Sequence, residues 1–268
     1  MNSGKAVLGL VGSPNRDGRT NKMVSAVLEG AARKGAPTEI VQLADNVVAA
    51  CKDCLPWVCA ENKKCTYKDE AFETLSQKIM DCGALVLGTP VYWWDASGMV
   101  KYLILKMFRV FARSAPLQGV AALGIAVAGG TGNGLVSGLR PVYHFFQVMQ
   151  MRAIEPLPVT RFNFDTALQR ARVLGEEIAE QRERMPFNGL EERLLWYDGL
   201  PYLSLNRVGE RRLLADLTVT ALTSKADPSI ARGLARADAL AAAGKQADSL
   251  IEIGRVYEAG AKAFEGQL

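Results

Sequence analysis

Four of the chain's five cysteines fall in one short segment, Cys51, Cys54, Cys59 and Cys65, spaced C-x2-C-x4-C-x5-C. Soft thiolate sulfur at this density suits either an iron-sulfur cluster or a tetrahedral zinc staple, and the spacing leaves both open. The start, Met1 to Lys5, leads into a strand-like run without the apolar region and small-residue cleavage site of a secretory signal. A cytoplasmic protein is therefore expected, in which clustered thiols serve metals or redox chemistry rather than disulfides. Cys82 stands apart at the start of an apolar run and reads as an inert core thiol. Trp57, inside the cysteine segment, reads as a shield for a metal group, a subunit contact or simple packing.

Three other segments carry polar or aromatic chemistry on glycine-rich backbone. In Gly12-Ser13-Pro14-Asn15-Arg16-Asp17-Gly18-Arg19-Thr20-Asn21, hydroxyl and amide donors precede a helix-like stretch. Gly18 permits close backbone approach, and a helix start presents unpaired N–H groups and a positive dipole end to a phosphate. The segment lacks the Gly-Lys-Ser/Thr ending of a nucleotide-triphosphate loop and the G-x-G-x-x-G of a dinucleotide fold, so a phosphate monoester fits better. An ordinary polar turn capped by Thr20 is the plain alternative.

The second segment, 88–98, sets Tyr92, Trp93 and Trp94 directly after Pro90 and Val91 and ahead of Asp95, Ser97 and Gly98. Aromatic faces beside backbone amides suit a flat heteroaromatic ring. Cover for a sheet edge or a subunit contact is the alternative. The third segment, Gly129-Gly130-Thr131-Gly132-Asn133-Gly134, leaves little side chain between backbone and ligand.

These loops need elements to hold them, and the hydrophobic periods supply a consistent set. Apolar runs at 6–11, 39–43, 84–89, 120–128 and 153–160 alternate with helix-like stretches at 20–34, 69–80, 97–111, 135–150 and 166–184. Strand-helix alternation predicts an α/β fold with a parallel sheet covered on both faces. In such sheets ligands bind outside the carboxyl ends of the strands, where all the chemistry-bearing loops begin. Beyond residue 185 the stretches 190–197, 208–223, 228–243 and 247–264 all read as helices. The expected organisation is therefore a domain over 1–185, with the cysteine loop at 51–65, and an all-helical extension over 186–268.

The formal charge of +4, from 32 basic and 28 acidic residues, is weak and mixed, which argues against nucleic acid as a partner. No run approaches the roughly 18 apolar residues of a membrane span. The single histidine, His144, excludes a histidine-based hydrolytic triad and a multi-histidine metal site, and it reads as a packed or surface residue. The pairs Glu176-Glu177 and Glu191-Glu192 read as solvated helix faces.

Over roughly residues 5–185 the chain resembles the NADPH-dependent FMN reductase superfamily, and within it the iron-sulfur flavoprotein branch. The resemblance is carried by Gly12-Ser13-Pro14 with Gly18 and Thr20, by 88–93 with Ser97, Gly98 and Lys101, and by the cysteine loop between them. It implies a flavodoxin-like five-stranded parallel sheet in the order 2-1-3-4-5. It further implies that Ser13, Asn15, Thr20 and Asn21 hold an FMN phosphate, with Gly18 at the turn and Arg16 and Arg19 supplying charge. Pro90, Val91, Tyr92, Trp93 and Trp94, with Ser97, and Gly129, Gly130, Thr131 and Asn133 would flank the flavin ring. The family's usual Gly-Asn-Thr reads Gly18-Arg19-Thr20 here, and its usual arginine after Gly-Ser-Pro is Asn15. Its C-x2-C-x2-C-x5-C loop, which bears a 4Fe-4S cluster, is two residues longer in the middle here.

The function so implied is an FMN-dependent oxidoreductase moving electrons between a ferredoxin-like or NAD(P)H donor and a small acceptor, through FMN and a 4Fe-4S cluster. An NAD(P)H-dependent flavin or quinone reductase without a redox-active cluster is the first alternative. A zinc-stapled flavin-binding sensor or scaffold is the second. The resemblance also implies a homodimer or homotetramer, with the cysteine loop of one chain near the flavin of another.

Overall fold

A computed structural model describes residues 4–55, 58–222 and 227–267; Trp57 lies outside the described residues. The chain runs β1 (Val7–Val11), α1 (Arg19–Arg33), β2 (Thr38–Gln42), α2 (Val58–Asn62), α3 (Glu70–Asp81), β3 (Ala84–Tyr92), β4 (Asp95–Ala96) and α4 (Gly98–Phe111). It continues through β5 (Ala121–Val127), α5 (Leu135–Val148), β6 (Arg152–Ala153), β7 (Leu157–Val159) and α6 (Phe164–Glu180). Four helices end it: α7 (Leu190–Asp198), α8 (Arg207–Thr220), α9 (Pro228–Ala242) and α10 (Gln246–Glu265).

The parallel strands are ordered β2-β1-β3-β5-β6, with β7 also on β5 and β4 folded back antiparallel on β3. This is the flavodoxin-like order 2-1-3-4-5 that the family resemblance implies, once the short β4 is set aside. Strands β1 and β5 are buried along their whole length, as are residues 84–90 of β3. A strand covered on both faces needs no polar alternation. The period of two then divides the core: Leu8 and Leu10 pack with α3, α4 and α5, while Val7 and Val11 pack with α1 and α6.

Helices α1 and α6 meet backbone to backbone. A Cβ on Gly30 would stand 1.9 Å from the Arg172 carbonyl oxygen, and one on Gly175 would stand 1.9 Å from that of Val27. Only glycine permits that approach.

The expected strand over 153–160 is two short pieces. Between them lies Pro156, which has no N–H to give the ladder, so pairing to β5 lapses and resumes at Leu157. The edge this leaves is covered by α7: Trp196 Nε1 donates to the Ala153 carbonyl at 2.7 Å and Tyr197 Oη to that of Met151 at 2.7 Å. Arg152 lies between the Phe187 and Trp196 rings and pairs with Glu192 at 2.6 Å. Glu192 is thus a structural partner, not the freely solvated carboxylate expected from its sequence context, and Glu177 likewise pairs with Arg170 at 3.0 Å.

Helices α7 and α8 extend the larger core through Tyr197 and Leu214. Helices α9 and α10 pack on each other and on α8 around a small cluster of their own: Ala215, Leu234, Ala237, Ile253 and Val256.

Candidate functional site

The phosphate-loop candidate leaves β1 and enters α1. Its backbone is tied to the neighbouring strand by Gly12 N–H donating to the Gly88 carbonyl at 2.7 Å. Ser13 Oγ accepts from Asn15 N–H at 3.2 Å, and Asn15 Oδ1 accepts from Asp17 N–H at 3.1 Å, which folds the loop on itself. Gly18 occupies the N-cap of α1 and supplies no side-chain acceptor, so the N–H groups of the first turn lack a side-chain cap. A helix start left open in this way fits an anion. Arg16 and Arg19 do not converge on it: Arg16 pairs with Asp45, and Arg19 lies over the Phe164 ring at 5.7 Å. Thr20 is buried, and Asn21 Oδ1 accepts from Gln42 Nε2 at 2.7 Å, joining the loop to the end of β2.

The aromatic loop is a hairpin. β3 runs to Tyr92 and returns as β4, with Trp93 and Trp94 at the turn and both at positive φ, 50° and 59°. Such two-residue turns ordinarily use Asn-Gly, since positive φ is costly for a bulky side chain. Here they hold up aromatic surface instead: Trp93 is 89% exposed, Trp94 55% and Tyr92 50%. The two indoles meet edge to face at 5.4 Å. Strain and large exposed rings at one turn mark a site with a task besides stability.

Ser97 and Thr89 lock this hairpin to the first loop. Ser97 Oγ donates to the Gly12 carbonyl at 2.7 Å, and its backbone N–H donates to Thr89 Oγ1 at 2.9 Å. Both residues are fully buried. Ser97 therefore positions the loops and caps α4 rather than presenting a free hydroxyl. Thr89 falls within the 88–93 motif, but its role is not legible in sequence, because the partner of a buried hydroxyl leaves no local pattern.

The third loop, 129–134, comes up beside the hairpin. Gly134 has φ +85°, and a Cβ there would stand 2.6 Å from Trp94 Cα, so only glycine serves. Thr131 Oγ1 accepts from Asn133 Nδ2 at 3.0 Å, while Gly129 and Gly130 have open space before them. The helical extension also reaches this loop. Tyr257 Oη of α10 donates to the Thr131 carbonyl at 2.8 Å, and Glu210 of α8 accepts from Val136 N–H at 3.1 Å, capping a helix with no cap of its own. The extension's helical period was legible in sequence, but nothing there says which sheet edge it meets.

The cysteine segment returns from β2 toward α4. Cys51, Cys54, Cys59 and Cys65 all line one cavity of about 260 Å³, with Lys106 and Arg109 of α4 beside them. Among the described residues no three of these side chains are drawn into a metal-ligating set. Within what reads as a loop, α2 forms and carries Cys59, whose thiol is buried and donates to the Arg109 carbonyl at 3.5 Å. Arg109 pairs with Asp53 at 2.7 Å and donates to the Cys54 carbonyl at 3.0 Å. Lys106 pairs with Asp69, both buried, and Asp69 accepts from the N–H groups of Phe72 and Ala49 at 3.1 and 3.0 Å. Burial alone would raise the Asp69 pKa, but Lys106 and the two N–H donors hold the carboxyl below its usual range. Two cations on the apolar helix 98–111, at i and i+3, were the available sequence signal for this cavity wall. Cys82 is buried and its thiol is pushed up to about 12 by burial, in keeping with an inert core thiol. His144 is exposed.

The comparisons with known proteins follow this geometry. An iron-sulfur flavoprotein of Methanocaldococcus jannaschii is 27% identical over 188 residues, covering 65% of this chain and 95% of that protein. Among solved structures, a flavone reductase aligns with a TM-score of 0.53 at 19% identity, over 66% of this chain and 62% of that one. An NAD(P)H:quinone oxidoreductase from Methanothermobacter marburgensis aligns with a TM-score of 0.52 at 18% identity, over 69% of this chain and 100% of that one. The family model described as NADPH-dependent FMN reductase matches residues 6–159. That span takes in the candidate phosphate loop, the tryptophan hairpin and the third glycine loop, and on it the chain belongs to the NADPH-dependent FMN reductase family, as an FMN-binding, flavin-dependent oxidoreductase.

Proposed function

We propose that this chain is an iron-sulfur flavoprotein in function as well as in likeness, taking electrons from NAD(P)H or a ferredoxin-like donor and delivering them to a small acceptor. The observation that carries this reading is that all four cysteines of one segment line a single cavity walled by two cations. Soft donors in that number fit a 4Fe-4S cluster. Cys51, Cys54, Cys59 and Cys65 would be its ligands. The open N-terminus of α1 and the Ser13–Asn21 loop fit the FMN phosphate. The tryptophan hairpin and 129–133 fit the ring.

Bound FMN would supply transfer of one or two electrons, and a cluster would supply transfer of one at a time. The protein's own part is positional. Ser97 and Thr89 hold the two flavin loops in register, and α4 begins at those loops and carries Lys106 and Arg109 to the cysteine cavity. A homodimer or homotetramer belongs to the same reading. Tyr102, Leu105 and Val148, exposed along a groove between α4 and α5, offer apolar surface for it, and light scattering of the pure chain tests it.

A second reading keeps the flavin and removes the cluster. The buried Cys59 thiol, which donates to a backbone carbonyl, favours it. The chain would then be an NAD(P)H-dependent flavin or quinone reductase, with thiols free or closed on zinc. Anaerobic purification followed by visible spectroscopy and metal analysis separates the readings. Flavin bands with about four irons per chain support the cluster, and C51S/C54S then loses iron while keeping flavin. Zinc without iron overturns the cluster. Failure to bind FMN on titration overturns both readings.

A further inference from the structure

Helix α8 begins with a charge pattern that its own stability does not explain. Arg207 and Arg211 stand at i and i+4 on one face, where like charges repel, and in the first turns of a helix, where the dipole disfavours cations. Among the described residues neither forms an ion pair, whereas the adjacent Arg212 pairs with Asp238 at 2.7 Å. Both line a cavity of about 410 Å³ with Trp94, Asn133, Ser137 and Glu210. The one carboxylate there, Glu210, accepts from the N–H of Val136 and, among the described residues, makes no ion pair with either arginine, so two cations face one anion. The cavity thus joins a net positive charge on two guanidinium groups, a half-exposed indole face, an amide and a hydroxyl.

We propose that Arg207 and Arg211 form a subsite for the carboxylate or sulfonate of a planar aromatic acceptor whose ring lies against Trp94. Guanidinium groups recognise such oxyanions through paired charge-assisted hydrogen bonds. An anion between the two arginines relieves their mutual repulsion. The subsite lies where loops inside the matched span, with Trp94, Asn133 and Ser137, meet the extension, and its two arginines lie outside the residues matched by the family model. Its role as an acceptor site rests on the proposed flavin chemistry; its ability to bind the anion does not.

The test uses the whole chain, with and without FMN. Binding of 1,4-naphthoquinone-2-sulfonate and of neutral 1,4-naphthoquinone to the flavin-free protein is read from tryptophan fluorescence. The double variant R207Q/R211Q is expected to weaken the sulfonate about tenfold or more and the neutral quinone less than twofold. R207K/R211K, which keeps the charges but not the paired hydrogen bonds, is expected to recover only part of the loss. In the FMN-loaded protein the same variant raises KM for the sulfonate with little change in kcat. Equal losses for both quinones, or no loss, overturn the subsite. So does a loss confined to NADPH with the sulfonate unaffected. If the chain takes up no FMN but still shows the charge-selective loss, the acceptor reading fails and the anion site stands.

Discussion

Lys106 and Asp69 form an ion pair buried on both sides, and removing one member leaves the other charged without compensation. Asp69→Asn is therefore expected to lower unfolding free energy by about 3–5 kcal/mol, read as a urea midpoint at neutral pH. The sign with pH follows from the depressed carboxyl. Its contribution is fully present above the ordinary carboxylate value of about 3.9 and is lost as pH falls through the lower folded value. The gap between wild type and variant should narrow only below about pH 4; a gap that closes nearer neutrality refutes the pairing. Trp93 and Trp94 present the opposite case, residues held where their type is disfavoured. Replacing them with Asn and Gly is expected to raise stability by about 1 kcal/mol or more while weakening FMN binding, measured by thermal melting of the flavin-free protein and by flavin titration. A destabilised variant with undiminished flavin affinity would contradict the assignment of the hairpin to the ring.

At the scale of elements, α5 depends on α8 for its start. Gly134 gives α5 the left-handed entry but no acceptor, and Glu210 arrives from α8, seventy-four residues later in sequence, to receive the Val136 N–H. Glu210→Ala is expected to cost about 1 kcal/mol in thermal unfolding, the usual value of a lost helix cap, with Glu210→Gln costing less. An unchanged melting temperature would show the cap to be dispensable. The link matters for chemistry because Asn133 and Gly134 lie at this helix start and Trp94 touches it. The extension therefore braces the loop proposed to flank the flavin.

Across the molecule the cohesion is uneven. The sheet and its flanking helices share two large clusters, one of which takes in Tyr197 and Leu214 of the extension, while α9 and α10 rest on five buried residues. Opening free energy follows the apolar contact that must be broken. Native-state hydrogen exchange is thus expected to release amides of α9 and α10 first and those of β3 and β5 last, with α7 near the slow group because it seals the β6 edge. Simultaneous exchange of α9, α10 and β5 would show that the extension and the sheet open as one unit.

The sequence by itself determined the parallel sheet and its helices, because continuous apolar runs and the 3.6-residue period report burial wherever both faces are covered, while the strand order came only with the family resemblance. It also located the glycine loops and the cysteine segment, since those signals are local in residue type and spacing. Tertiary structure alone decided how they meet. The break at Pro156, the committed hydroxyl of Ser97, the diversion of Arg16 and Arg19 to Asp45 and Phe164, and the α2 turn carrying Cys59 all depend on partners distant in the chain. The same holds for the arginine pair of α8 against Trp94. A side chain's partner across a fold leaves no period in the sequence, so the loops could be read there, but not their contacts.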